Sequence, residues 1–159
     1  MVMEMLEWMW LGAPAVPNSV LVVEDDPSQK PILARILYAF NPSMDLLWAS
    51  SAEEAKNILN EKPIDLLITD ILLEGEGTGI DLYQECAKAN SHLPVLFISG
   101  LSAATLEKRG ISLSKSGIEE SAILLPKPVS PLKCHDSITE LMRRKAWEDM
   151  ATSYLSTYI

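Results

Sequence analysis

Glu24, Asp25 and Asp26 stand just after the apolar run Val20–Val23, Asp70 just after Ile64–Ile68, Ser99 after Val95–Ile98, and Lys127 after Ile123–Leu125. Several carboxylates, one hydroxyl and one ammonium that converge on one place would suit phosphoryl transfer. Clustered carboxylates repel one another, and a hard cation with oxygen ligands relieves that repulsion. Mg²⁺ fits best, because it binds through one or two carboxylates, keeps several waters and bridges to phosphate oxygens. With the metal on one side and the Lys127 ammonium on the other, Asp70 can act as a carboxylate nucleophile and become an aspartyl phosphate. Such chemistry asks the protein mainly for positioning and charge neutralisation. Each residue alone says little. An Asp at a strand end is more often a turn former or helix cap, and a lone Lys there is usually a solvated charge. The weight lies in four runs that all end this way.

For those ends to meet, the runs must be neighbouring strands of one sheet. Val20–Val23, Leu46–Ala49, Ile64–Ile68, Val95–Ile98 and Ile123–Leu125 are the strand candidates, and three are apolar on consecutive positions, as in strands buried on both faces. Helical segments separate them. Ile32, Leu33, Ile36, Leu37 and Phe40 make one apolar stripe within Ser28–Phe40. Ser51 with Glu54 three residues later predicts a capping box that opens Ser51–Glu61. Ile80–Ala89 is a third helix, and Ser130 before Pro131 predicts an N-cap and a first-turn proline for the last one. This alternation predicts an α/β fold, a doubly wound parallel sheet with helices on both faces. Ligands of such sheets bind at the carboxyl ends of the strands. That is where the chemical residues stand.

LVVEDDP, LLITD, LFISG and LLPKPV, in this order and spacing, resemble the receiver domain of two-component response regulators. The ISG, KRG and LLPKP segments are most similar to receivers of hybrid histidine kinases. The match runs from about Ser19 to Met142. It divides the chain into an apolar N-terminal tail (1–18), a receiver domain (19–142) and a C-terminal helical extension (143–159). The resemblance implies a (βα)5 flavodoxin-like fold with strand order 2-1-3-4-5. It also implies that Asp70 is the phosphoacceptor, Asp25 a direct Mg²⁺ ligand, Glu24 a ligand through water, and Leu72 a ligand through its backbone carbonyl. Ser99 is then the switch hydroxyl, Lys127 the partner of a phosphoryl oxygen, and Lys127–Pro128 a cis peptide. Asp26 caps the first helix near Ser28, outside the ligand set. The implied donor is a histidine kinase or a histidine phosphotransfer protein, and the implied output is a change of protein contacts.

The sequence departs from that family in places. The switch aromatic, three positions before the lysine, is Leu124, which puts the signal-transmitting half of the mechanism in question. The stretch from Ser102 to Glu120 is long, weakly periodic and interrupted by Gly110 and Gly117, which predicts a short or broken fourth helix. Pro126 requires the fifth strand to lie at a sheet edge. Leu72 and Leu101 are apolar where water would attack, and are expected to slow loss of phosphate. Glu74–Gly79 lacks the lysine of a phosphate-binding loop and reads as the loop beside Asp70. Two other classes compete. An aspartate-nucleophile phosphatase needs a second acid two residues after the nucleophile, where this chain has Leu72. A phosphorylation-independent interaction module with the same fold is favoured by Leu124 but opposed by the complete acidic set and Lys127.

Composition bounds these readings. With 159 residues, 48% hydrophobic and 22% charged, the chain fits one globular domain. A net charge of −9 argues against a nucleic-acid surface. No apolar run reaches the ~20 residues that a membrane span needs. The tail lacks the basic start of a signal peptide, and two cysteines suggest a reducing, cytoplasmic setting. Cys86 and Cys134 are expected to pack and His92 and His135 to be solvated. Trp147, Met150, Ala151, Tyr154 and Tyr158 form a stripe on the extended last helix, and Met1, Met5, Leu6, Trp8 and Met9 cluster in the tail. Such patches mark interfaces. A homodimer is expected, with an intramolecular clasp between the two ends as the alternative.

Overall fold

A computed structural model describes residues 16–73, 75, 77–90 and 92–158. Five strands, β1 (Ser19–Val23), β2 (Asp45–Ala49), β3 (Leu66–Asp70), β4 (Val95–Ser99) and β5 (Ala122–Pro126), form one parallel sheet in the order β2-β1-β3-β4-β5. Helices α1 (Gln29–Phe40), α2 (Ala52–Glu61), α3 (Gly79–Ala87), α4 (Ala103–Lys108) and α5 (Pro131–Tyr158) connect and flank the strands. This is the doubly wound (βα)5 arrangement expected from the sequence.

Successive residues of a strand point to opposite faces, so strands covered on both sides must be apolar throughout. Leu21, Val23, Leu67 and Phe97 pack on one face with residues of α2, α3 and α4. Val20, Val22, Ile68 and Ile98 pack on the other with Leu33, Leu37 and Ile138 of α1 and α5. The α1 stripe turns Leu33, Ile36 and Leu37 inward, whereas Ile32, at its edge, is 51% exposed. Pro126 closes β5 at the open edge of the sheet, where a missing ladder donor costs nothing.

Strand β3 begins two residues later than the sequence suggests. Asp65 is spent on β1: its carboxylate accepts the Asn18 and Ser19 N–H groups at 2.9 and 3.1 Å, and its own N–H donates to Ser19 O at 2.8 Å. The ladder therefore starts at Leu66 opposite Val20, and Asp70 is the last residue of the strand. The Ser51 cap also differs. Ser51 Oγ accepts the Glu54 N–H at 3.2 Å, but the Glu54 carboxylate reaches Ser50 N and Oγ at 2.8 and 2.9 Å in place of Ser51 N. A full reciprocal box occurs instead at Thr78 and Asp81, opening α3.

Helix α4 has only 6 residues, as the two glycines implied, and Gly110 and Gly117 follow it at φ 76° and 70°. Helix α5 runs unbroken past Met142 for 28 residues in all. Neither histidine is simply solvated. His135 Nε2 lies 2.9 Å from Ile36 O with its ring against Phe40, and His92 Nδ1 lies 3.3 Å from Glu148 Oε2 on α5. Cys134 is buried and Cys86 half-buried, and burial pushes both thiols up, Cys134 to about 11. They pack, as expected. No helix among the described residues is long and apolar enough to cross a membrane. The expected cluster at Met1, Met5, Leu6, Trp8 and Met9 lies outside the described residues.

Candidate functional site

The carboxyl ends of β1, β3, β4 and β5 bring Glu24, Asp25, Asp70, Ser99 and Lys127 to one edge of the sheet. Lys127 Nζ sits 2.6 Å from Asp70 Oδ2 and 3.5 Å from Glu24 Oε2. Its backbone is fixed too, since Lys127 N–H donates to Ser99 O at 2.7 Å, and the peptide to Pro128 is cis. Asp70 is held from three directions. Leu72 N–H donates to Oδ1 at 3.1 Å, Lys127 takes Oδ2, and Thr69 Oγ1 donates to the Asp70 carbonyl at 3.0 Å.

Glu24 is only 2% exposed, and its Oε1 accepts the Asp26 N–H at 3.2 Å. Burial pushes its carboxyl above the ordinary range, against the Asp26 N–H and the Lys127 ammonium, which pull it down. Burial also opposes charge on Lys127, but the Asp70 bond and the two carboxylates hold its pKa above the ordinary lysine value. Because the raised Glu24 pKa penalises its charged form, the cost to the fold appears as pH rises from about 4.5 through the raised value. Glu24→Gln is therefore expected to raise the melting temperature at pH 7–8, with a gain that fades toward pH 4. A thermal-melt series in pH checks this, and a loss of stability at pH 8 would contradict it.

Asp26 binds Ser28 N at 2.9 Å and Ser28 Oγ at 2.7 Å, forming a turn before α1 and standing apart from the acidic set. The Asp25 carboxylate is half-buried at the same edge and hydrogen-bonds to no described residue. Buried Ser99 Oγ accepts the Leu101 N–H at 3.0 Å, and its hydroxyl remains a donor. Leu72 is exposed beside Asp70, and Leu101 is half-buried. Leu124 packs on the α4 side and lines an apolar groove of about 300 Å³ with Ile71, Leu106 and Ile111.

One residue of the site escaped the sequence reading. Gly79 N–H donates to Ile71 O at 2.8 Å, and a Cβ on Gly79 would lie 2.3 Å from the Asp70 carbonyl oxygen. The N-terminus of α3 is thus pressed onto the backbone of the site. The signal was present as Thr78-Gly79 with Asp81, a cap placed just after the glycine-rich loop.

The donor set is all oxygen, which suits a hard cation of the Mg²⁺ kind. Among the described residues no three His, Cys, Asp or Glu side chains are gathered as a ready set of metal ligands. The cation on Asp70 here is the Lys127 ammonium.

A parallel five-stranded sheet with this order, carrying an acid pair, an Asp, a hydroxyl and a Lys–Pro at its carboxyl edge, defines a class of flavodoxin-like domains with an acidic pocket at the strand ends. The family model of the response regulator receiver domain matches residues 20–138, and the chain belongs to that family. An NtrX-like response regulator of Rickettsia bellii (strain RML369-C) is 32% identical over 127 residues, 78% of this chain and 26% of that protein. The transcriptional regulatory protein MalR of Bacillus subtilis (strain 168) is 34% identical over 91 residues, 57% of this chain and 38% of that protein. The chain thus spans about a quarter to two-fifths of these relatives. Among solved structures, a CheY-like receiver domain from Methanospirillum hungatei JF-1 superposes with a TM-score of 0.68 at 20% identity, covering 84% of this chain and 99% of that one. The receiver domain of the hybrid histidine kinase CckA gives 0.59 at 28% identity, covering 78% and 98%.

Proposed function

We propose that this chain accepts a phosphoryl group on Asp70 from a phosphohistidine donor, a histidine kinase or a histidine phosphotransfer protein, in a cytoplasmic phosphorelay. The observation that carries the reading is the Lys127–Asp70 bond of 2.6 Å, backed by buried Glu24. The Asp70 carboxylate oxygen attacks phosphorus, the P–N bond to histidine breaks, and the donor imidazole leaves. Asp25, Glu24, Asp70 and the Leu72 carbonyl would hold Mg²⁺, which when bound neutralises charge on the phosphoryl oxygens. Lys127 pairs with one of those oxygens and Ser99 donates to another. The chain is no enzyme toward a separate substrate; it catalyses gain and loss of its own phosphate. Exposed Leu72 and half-buried Leu101 border the acceptor and hinder water. Output is by protein contacts, without nucleic acid, from a homodimer.

A second reading, an interaction module free of phosphorylation, draws on Leu124, which offers no ring to follow Ser99. A phosphohistidine-labelled kinase mixed with the full chain in Mg²⁺ separates the two. Label that passes to the chain, and stays on the kinase in EDTA, supports the receiver reading. Label that stays on several kinases in Mg²⁺ supports the module.

A further inference from the structure

A groove of about 240 Å³ lies between the C-terminal ends of α2 and α3, at the edge of the sheet opposite Asp70. Buried Ile64 and Leu93 and half-buried Leu59 and Cys86 give it an apolar lining, and Lys56 and Lys62 stand at its rim. Lys56 is spent on Glu85 at 2.6 Å, whereas Lys62 pairs with no described carboxylate. Small-molecule sites start at ~300 Å³. This groove is smaller, a size for one or two large side chains.

The chain enters β1 beside that groove. Asp65, next to Ile64, accepts the Asn18 and Ser19 N–H groups, and Asn41 Nδ2 donates to Pro17 O at 3.3 Å. Residues 1–15 therefore leave from the same edge of the sheet. The starts of β3 and β4, which bound the groove, lie about 5 and 10 Å from β1. The stretch from Asn18 back to Glu7 spans up to about 36 Å, so reach is no obstacle. This segment carries Glu4 and Glu7, no lysine or arginine, and the large apolar side chains of Leu6, Trp8 and Trp10.

We propose that the acidic, apolar segment Glu4–Leu11 of this chain docks in the groove, with a tryptophan ring inside and a carboxylate on Lys62 at the rim. One aromatic ring buries ~150–250 Å². A tethered segment is held at an effective concentration on the order of millimolar, so that modest burial is enough to seat it. The Lys62 pair is exposed and contributes direction more than energy.

Charge decides between this seat and the other exposed apolar surface, the outer turns of α5. There the cations are taken: Arg143 and Arg144 hold Glu140, and Lys145 holds Asp149. Glu119, Glu120 and Glu148 stand beside Trp147. An acidic segment is repelled from that side and drawn to Lys62. The groove is also remote from Asp70, so the contact stands whether or not Asp70 takes phosphate.

Cys86 reports whether the groove is filled, and buried Cys134 does not compete with it. The full chain is treated with N-ethylmaleimide, and labelling at Cys86 is timed by peptide mass. Trp8→Ser combined with Trp10→Ser is expected to speed labelling by more than about 10-fold while the cooperative melt is kept. Lys62→Glu is expected to speed it as well, and Glu4→Lys with Glu7→Lys in that background to return it towards wild type. A merely electrostatic effect of Lys62→Glu would slow labelling, because an added carboxylate disfavours the thiolate. Carbodiimide cross-linking of mixed light and isotopically heavy chains then locates the segment. Links from Glu4 or Glu7 to Lys62 within one chain are expected. Equal labelling rates in all variants, or links to Lys145 on α5 in place of Lys62, would overturn the proposal. So would links between light and heavy chains, which would seat the segment of a second copy.

Discussion

Lys127→Met is expected to slow phosphoryl transfer to Asp70 by ~10²–10³-fold, the usual cost of removing one preorganised group from a developing charge. The ammonium is already in place before any phosphate arrives, 2.6 Å from Asp70 Oδ2 and tethered by its own N–H to Ser99 O. As negative charge moves onto the phosphoryl oxygens, the ammonium has only to exchange Asp70 Oδ2 for one of them, at the same place. Lys127→Arg is expected to recover only part of the rate, because the larger planar fork cannot stand between Asp70 and Glu24 as a compact ammonium does. The time course of adduct formation by intact mass gives both rates. A Lys127→Met rate within a few-fold of wild type would make Lys127 a counter-ion for the fold alone.

The second large effect falls on a residue without a functional group. Gly79→Ala is expected to destabilise the domain by about 2–3 kcal/mol, at the upper end for overpacking. For a chain of this size that lowers the melting temperature by roughly 5–10 °C. The added Cβ would meet the Asp70 carbonyl oxygen at 2.3 Å and Thr69 Cγ2 at 3.2 Å, and backbone cannot swing aside as a side chain can. Either α3 retreats, breaking the Gly79–Ile71 bond, or Asp70 moves. A shift of 1 Å at a reacting group costs up to about 100-fold in rate, so the phosphorylation rate should fall together with stability. Gly75→Ala is the control. Gly75 has φ 99°, and an added methyl there would meet nothing within 4 Å. Its cost is therefore conformational, about 1–2 kcal/mol, and leaves Asp70 in place. Equal rates for the two variants would contradict this role of Gly79.

The contrast between these two predictions marks what could be read from the sequence. Lys127, Asp70 and Ser99 were legible because each ends an apolar run, and a parallel sheet brings such ends together whatever the loops do. The two-faced core was legible for the same reason, since Val20–Val23 and Val95–Ile98 have no polar side to expose. Gly79 was not, because its constraint is an approach of α3 to β3 that no local pattern encodes. The start of β3 was missed because Asp65, adjacent to the apolar run, serves β1 through its side chain and not the ladder. His92 and His135 found partners on α5 and α1, contacts distant in sequence. Ile32 fits the α1 stripe by spacing, yet it sits at the stripe's rim and faces out.

The most direct measurement is the intact mass of the full chain after incubation with acetyl phosphate and Mg²⁺, beside Asp70→Asn. One phosphoryl adduct on the wild type, absent from Asp70→Asn and from samples with EDTA, is the predicted result. An adduct of equal yield on Asp70→Asn would place the phosphate elsewhere and contradict the account at its centre.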